Sequence, residues 1–193
     1  MRRLILITGL LLPILTFSQQ KQKSSRPLFQ PSTSFAVLVG ESAPSWQVQA
    51  NGGFRLGQWY AGLGTAVDNY RFRSIPLYAS VRRHYLFRKA LFAYADAGVA
   101  FPWKRKVVDE GFTLEQQQFY TGFYSETGIG YQLPSKGKLT VNVSAGYSFR
   151  TMKQRVVTPM LWSSAWPMPE YEVVKEHKFH LLTFRTIIGF AGK

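Results

Sequence analysis

The chain has 193 residues, 24 Lys and Arg against 10 Asp and Glu, 16% aromatic residues and no Cys. That length suffices for one domain with a buried core or a small closed barrel. Without Cys there are no disulfides, thiolate metal sites, Cys nucleophiles or lipid-modified Cys, and a formal net charge of +14 calls for an anionic partner.

Arg2, Arg3, the 14-residue apolar run Leu4–Phe17 and the small residue Ser18 read as a cleavable export signal over residues 1–18. The apolar run is shorter than the roughly 20 residues of a spanning helix, so any membrane crossing falls to strands. Less Arg2 and Arg3, the mature chain has 22 basic and 10 acidic residues, a balance of +12. Export removes nucleic acid from the partners such a charge suggests. It leaves an anionic lipid surface, with lipopolysaccharide the natural candidate.

Residues 19–33, polar and with two prolines, read as a flexible periplasmic leader, and a barrel is expected over 34–191. The strands expected in chain order are Ser34–Glu41, Trp46–Leu56, Trp59–Tyr70, Ser74–Tyr85, Leu91–Phe101, Phe119–Gln132, Leu139–Arg150 and Lys178–Ala191. Gly52-Gly53 predicts a bulge in the second strand. Pro102–Gln118 and Lys153–Glu176 are expected as long loops. The seventh strand, LTVNVSAGYSFR, alternates without a break: Leu139, Val141, Val143, Ala145, Tyr147 and Phe149 face one side, and Thr140, Asn142, Ser144, Gly146, Ser148 and Arg150 the other. Its twelve residues exceed the roughly 9–11 that a tilted strand needs to cross a bilayer.

Eight strands whose connections alternate short and long predict an all-β fold, an eight-stranded antiparallel up-and-down transmembrane β-barrel with both ends in the periplasm. Gly62, Gly64, Gly98, Gly128, Gly130 and Gly146 all fall on the polar parity, where a narrow interior must fit small residues beside Tyr and Arg. Aromatics at strand ends (Trp46, Trp59, Tyr70, Tyr85, Phe101, Trp103, Phe119, Phe149, Phe190) suit interfacial girdles. A soluble barrel would instead turn the apolar parity inward, as a secreted ligand-binding protein.

The run WYAGLGTAVDNYRFRSIPLYASVRRHYL, followed by LFAYADAGVAF, and a signal ending Phe-Ser-Gln resemble small outer-membrane barrel proteins of Bacteroidetes type. The architecture is similar to the eight-stranded OmpA and OmpX barrels. Arg185–Phe190 looks like the aromatic-ended last strand that barrel-assembly machinery reads, although Ala191, Gly192 and Lys193 follow it here. The resemblance implies a Gram-negative outer-membrane location and assembly through that machinery.

On the polar parity, Asp68, Arg82, Asp96, Glu126, Arg150 and Arg185 form a candidate salt-bridge network plugging the lumen, with Asp96, Glu126, Arg82 and Arg185 expected near mid-barrel. A narrow channel through the same charges is the sharper alternative. Arg71, Arg73, Lys104, Arg105, Lys106, Lys153 and Arg155 are candidate loop contacts to lipopolysaccharide phosphates or other anions. Met160, Trp162, Trp166 and Met168 make an apolar loop patch suited to a partner or a membrane. A lipid A-modifying enzyme would need a Ser–His constellation, and His84, His177, His180, Ser125 and Thr183 show no spacing that supplies one. The reading is therefore a non-enzymatic protein, expected as a monomer, with no catalytic residue, cofactor or metal, acting in envelope integrity or surface interaction.

Overall fold

The computed structural model describes residues 27–84, 90–104, 106–108, 116–135, 139–159 and 170–190. These hold eleven strands: β1 (Leu28–Phe29), β2 (Ser32–Val39), β3 (Ser45–Leu56), β4 (Trp59–Asp68), β5 (Ser74–His84), β6 (Leu91–Pro102), β7 (Lys106–Val108), β8 (Gln116–Tyr120), β9 (Gly122–Gln132), β10 (Leu139–Pro159) and β11 (Glu170–Phe190). Eight of them, β2 to β6 and β9 to β11, pair antiparallel in ring order, and β10–β11 closes the ring. Closure leaves no free edge along the barrel wall.

Register sets the shape of the ring. From Pro102 the directly opposed partners run through Ser74, Asp68, Gln47, Ala36, Arg185, Ser144 and Gly130, and return to β6 at Phe92, ten residues away. A ten-residue stagger over eight strands tilts them by about 40°, given ~3.3 Å per residue and ~4.8 Å between strands. A barrel of that size has an interior only wide enough for side chains.

The two faces have opposite chemistry, inverted relative to a soluble protein. Outward lie Phe35, Leu63, Leu77, Ile129, Phe184 and Ile188, with Leu63 67% and Ile129 64% exposed. Inward and buried lie Gln47, Gln49, Asp68, Arg82, Asp96, Glu126, Arg150 and Arg185. Phe54, Trp59, Tyr131 and Phe190 ring the outside near the end where β2 begins and β11 finishes, here the terminal end. Trp46, Phe101, Trp103 and Phe123 do so near the distal end. Trp46 and Phe54 stand eight residues apart on β3, or about 20 Å along the axis at that rise and tilt. That approaches the roughly 25 Å apolar band of membrane barrels.

Several expected boundaries move. The stretch read as leader is bound at its end, where Leu28 and Phe29 pair with Arg55 and Phe54 of β3 and β2 starts at Ser32. The expected bulge at Gly52-Gly53 is absent: Gly52 opposes Leu63 and Gly53 opposes Gly62 in unbroken register. Gly53 answers packing instead, since a Cβ there would strike Tyr60 and the opposing backbone, whereas one on Gly52 would make ordinary contact with Phe29. The sixth expected strand splits around Thr121 into β8 and β9.

The largest difference lies at the distal end. The expected loop over Lys153–Glu176 is strand as far as Pro159 and again from Glu170, and β10 and β11 each run 21 residues. Beyond the barrel, β8 pairs with β10 and β7 with β8, giving a sheet in the order β11-β10-β8-β7 that projects from one side of the mouth. Outside a bilayer neither face must be uniformly apolar, so alternation fades while backbone pairing continues. Tyr70 and Phe119, expected in a girdle, point inward instead. With Leu38, Met152, Phe179, Leu181 and Phe72 they form an apolar cluster across the distal mouth.

A cation placed on the outward face should be costly where the band is deepest. Leu63→Arg is expected to lower the unfolding free energy by about 2–4 kcal/mol in phosphatidylcholine vesicles, read by urea titration of tryptophan fluorescence. A change under about 0.5 kcal/mol would leave Leu63 outside any hydrocarbon.

Candidate functional site

Buried charge dominates the lumen, and most of it converges on one carboxylate. Glu126 Oε1 accepts hydrogen bonds from Tyr94 Oη (2.9 Å), Thr183 Oγ1 (2.9 Å) and Arg185 Nη2, while Oε2 accepts from Tyr124 Oη (2.9 Å). Arg185 Nη1 also reaches Asp96 Oδ2 at 3.3 Å. Five strands supply this cluster: β6 brings Tyr94 and Asp96, β9 Tyr124 and Glu126, β11 Thr183 and Arg185, and Tyr78 and Ser80 of β5 with Gly64 of β4 pack alongside. A carboxylate out of water is tolerable only when its lone pairs are filled in this way.

Nearer the distal end, Arg150 Nη1 lies 2.5 Å from Asp68 Oδ2, and Ser74 Oγ donates to the same oxygen at 2.6 Å. The guanidinium of Arg185 stacks on Tyr94 at 4.8 Å, that of Arg150 on Tyr124 at 5.1 Å and that of Arg82 on Tyr60 at 4.9 Å. Each lumen arginine thus has a tyrosine face, an arrangement favourable to a desolvated cation. The tyrosines need room, and glycines give it. A Cβ on Gly64 or Gly98 would strike Tyr78, and one on Gly128 or Gly146 would strike Tyr94.

Of the six charges named from sequence, Arg185 meets Asp96 and Glu126, and Arg150 meets Asp68. Arg82 differs. It opposes Tyr60 and Tyr94 in the register, two residues nearer the terminal end than the Ser80–Asp96 pair, and not at mid-barrel. Sequence reasoning missed Tyr60, Tyr78, Tyr94, Tyr124 and Thr183 as members of the network. Their signal was available, since all five share the charged parity.

Above the ion pairs an apolar cluster lies across the bore. The apolar cluster covers a cavity of only ≈ 10 Å³ lined by Asp68, Tyr70, Phe72, Arg150, Met152 and Phe179, room for about one water molecule. Phe72 packs on Phe119 (5.1 Å) and His177 (5.3 Å), and His177 Nε2 pairs with Gln154 Oε1 at 2.8 Å. Phe72 comes from the β4–β5 connection, where Arg71 has φ 54°, a left-handed conformation unusual outside glycine.

The outer rim carries the basic groups. Arg71, Arg73, Lys104 and Lys153 are exposed, Arg73 Nε donates to Asn69 Oδ1 (2.9 Å), and the carbonyl of Arg73 accepts from Trp103 N (2.9 Å). Arg155 is paired with Glu172 at 2.6 Å on the exposed face. Arg105, the side chain of Lys106, and Met160, Trp162, Trp166 and Met168 lie outside the described residues. Ser125 and His180 both oppose Phe149, one on each side of its strand, about two strand spacings or ~10 Å apart. His180 Nδ1 contacts Tyr147 Oη, Thr183 donates to Glu126 and His84 stacks on Phe92. Neither Ser125 nor Thr183 is among the groups that these contacts bring to a histidine.

No family model and no curated protein matches the chain. Solved structures similar to it include the Neisserial surface protein A (NspA) crystal structure, with TM-score 0.47 and 16% identity over 89% of this chain and 100% of that one. The solid-state NMR structure of outer membrane protein AlkL in lipid bilayers gives TM-score 0.50 and 10% identity, over 90% and 94%. A de novo designed transmembrane β-barrel gives 0.44 and 11%, over 86% and 98%. The fold is that of a transmembrane β-barrel. At these identities the likeness concerns the fold alone.

Two outcomes follow. Arg185→Met strands Glu126 and Asp96 and should cost about 3–5 kcal/mol in urea unfolding. The triple variant Arg185→Met, Glu126→Gln, Asp96→Asn should recover part of that loss, and equal losses in both would deny the coupling. Burial, then Arg71 and Lys175, hold His177 below its ordinary value near 6.5. Its folded state therefore favours the neutral ring, and its stabilising contribution, full above about pH 6.5, falls as pH drops below that value. Trypsin cleavage of the distal sheet, scaled to its rate on an unfolded substrate at each pH, should rise from pH 7 to 5 and lose that dependence in His177→Gln.

Proposed function

We propose that the protein is a non-enzymatic integral outer-membrane barrel with a side-chain-plugged lumen, acting in envelope integrity or surface interaction through its basic and aromatic distal end. The observation carrying this reading is the inversion of polarity: exposed Leu63, Ile129 and Phe184 outside, buried ion-paired Glu126, Arg185 and Asp68 inside. The fold likeness to AlkL supports the membrane setting. Both ends of the ring lie together at the terminal end, which in this setting faces the periplasm, and the projecting sheet faces outward.

Phosphorylated lipid of the outer leaflet is the proposed ligand of the rim. Arg73 and Lys104 flank Trp103, and Lys153 stands above Phe149, so cations sit just beyond the aromatic girdle where headgroup phosphates lie. Barrel-assembly machinery is the proposed assembly partner, and the monomer the proposed state. The closed bore argues against a steady pore.

In planar bilayers the refolded protein is expected to give no steady open state, and discrete steps altered by Glu126→Gln would favour the narrow-channel reading. A variant carrying Arg73→Glu, Lys104→Glu and Lys153→Glu should bind lipopolysaccharide micelles about tenfold more weakly, measured by thermophoresis in uncharged detergent. Undiminished binding would remove the rim from the account.

A further inference from the structure

Two rings of the distal cluster, Tyr70 and Phe72, come from the β4–β5 connection, and they are held differently. Tyr70 is buried, its Oη accepts from Ser42 N at 2.9 Å, and its ring meets Phe179 edge-on at 5.7 Å. Phe179 in turn stacks on His177 at 6.0 Å, and His177 pairs with Gln154. These contacts fix the walls of an aromatic cage without Phe72. Phe72 is only half-buried, and its ring lies 5.1 Å from Phe119, 5.3 Å from His177 and 6.3 Å from Phe179. It is brought there by a three-residue turn, in which Phe72 N donates to the Tyr70 carbonyl at 2.5 Å around Arg71, φ 54°. Such a turn centred on a residue other than glycine is rare and strained, and the strain persists only where the surroundings impose it.

Beneath that ring the chemistry changes. Phe72 helps to line the ≈ 10 Å³ cavity whose polar side is Asp68, Ser74 and Arg150. Arg150 is 4% exposed; its Nη1 is ion-paired to Asp68, its Nε donates to Ser148 Oγ at 3.2 Å, and its Nη2 has no hydrogen-bond partner. A guanidinium carries only donors, so a group bound beside Nη2 must present an acceptor oxygen. The Asp68 carboxylate next to it repels an anion, so a neutral oxygen suits the position. The cavity has room for one such atom, and the cage above it has room for one ring, that of Phe72 or another.

We propose that the distal mouth is a binding site for a neutral, single-ring aromatic alcohol of the phenol class. The ligand's ring replaces that of Phe72 against Phe119, Phe179 and His177, and its hydroxyl oxygen takes the cavity beside Arg150. Phe72 is then a resident competitor, and its displacement lets Arg71 leave the left-handed region. The affinity measured for the intact chain is that of the open cage, reduced by the fraction of molecules in which Phe72 is out. The site is separate from the rim cations proposed to meet lipid phosphates and does not depend on that reading.

The test uses the full chain refolded in uncharged detergent and titrated with para-fluorophenol or para-fluorotoluene under fluorine NMR, where partition into the micelle does not saturate. One saturable site is expected, about fivefold tighter for the phenol, the worth of one hydrogen bond. Phe72→Ala removes the competitor and should bind both probes about fivefold or more tightly. Phe123→Ala, which removes an exposed ring on the outer wall, should change neither. Arg150→Met should erase the preference for the hydroxyl. Should that variant fail to give the heat-shifted folded band, Arg150→Met combined with Asp68→Asn replaces it, with the same expectation. Absence of saturable binding to the unaltered chain, binding that Phe72→Ala does not tighten, or a hydroxyl preference that is missing or survives the loss of Arg150 overturns the proposal.

Discussion

The rest of the structure depends on the filling of one carboxylate. Glu126 sits mid-lumen with Arg185, Thr183 and two tyrosines on its oxygens, and these partners come from three different strands of the ring. A slip of one residue in any strand would turn its whole charged parity outward, so pairing around Glu126 and the apolar exterior fix the same register. In a bilayer the penalty for error is doubled: charge would enter hydrocarbon and apolar side chains would crowd a polar bore. The ion pairs thus specify the register more than they add stability, since a buried pair gains little over an apolar one.

The same constraint explains why large side chains crowd the lumen. A ten-residue stagger over eight strands leaves space for side chains only, and Tyr78 and Tyr94 occupy it against Gly64, Gly98, Gly128 and Gly146. Apolar packing then takes over at the distal mouth, where Phe72, Phe119 and Phe179 lie beyond the ion pairs. Along the axis the lumen passes from Arg82 and its tyrosines, through the ion pairs, to an apolar cap.

Much of this was legible in the sequence because the bilayer imposes a period-two code that needs no partner to be read. The alternation of Leu139–Arg150 gives both faces of β10 within the barrel, and the charged residues of the polar parity are the ones found buried. Legibility ends where the bilayer ends. Thr151–Pro159 and Glu170–His180 continue as strand although Lys153, Arg155, Glu172 and Glu176 break the apolar parity, because backbone hydrogen bonds, not side-chain transfer, hold the projecting sheet. The tyrosines of the network share the charged parity, but which charge each one meets is not written in its own strand. Pairing decided between them: Arg82 joined Tyr60 and not Asp96, a matter of stagger between β4, β5 and β6 that no single strand encodes.

The central claim is that the apolar parity faces lipid and the polar parity a closed interior. Because the chain has no Cys, single cysteines at Leu63 and Ala66 can carry a nitroxide label in the refolded protein in lipid vesicles. Power-saturation electron paramagnetic resonance would then compare collision with oxygen, which favours hydrocarbon, and with a water-soluble nickel chelate. The account predicts high oxygen and low nickel accessibility at 63, and low accessibility to both at 66. High nickel accessibility at 63, with a folded protein that needs no lipid, would contradict it and place the polar parity on a core of another kind.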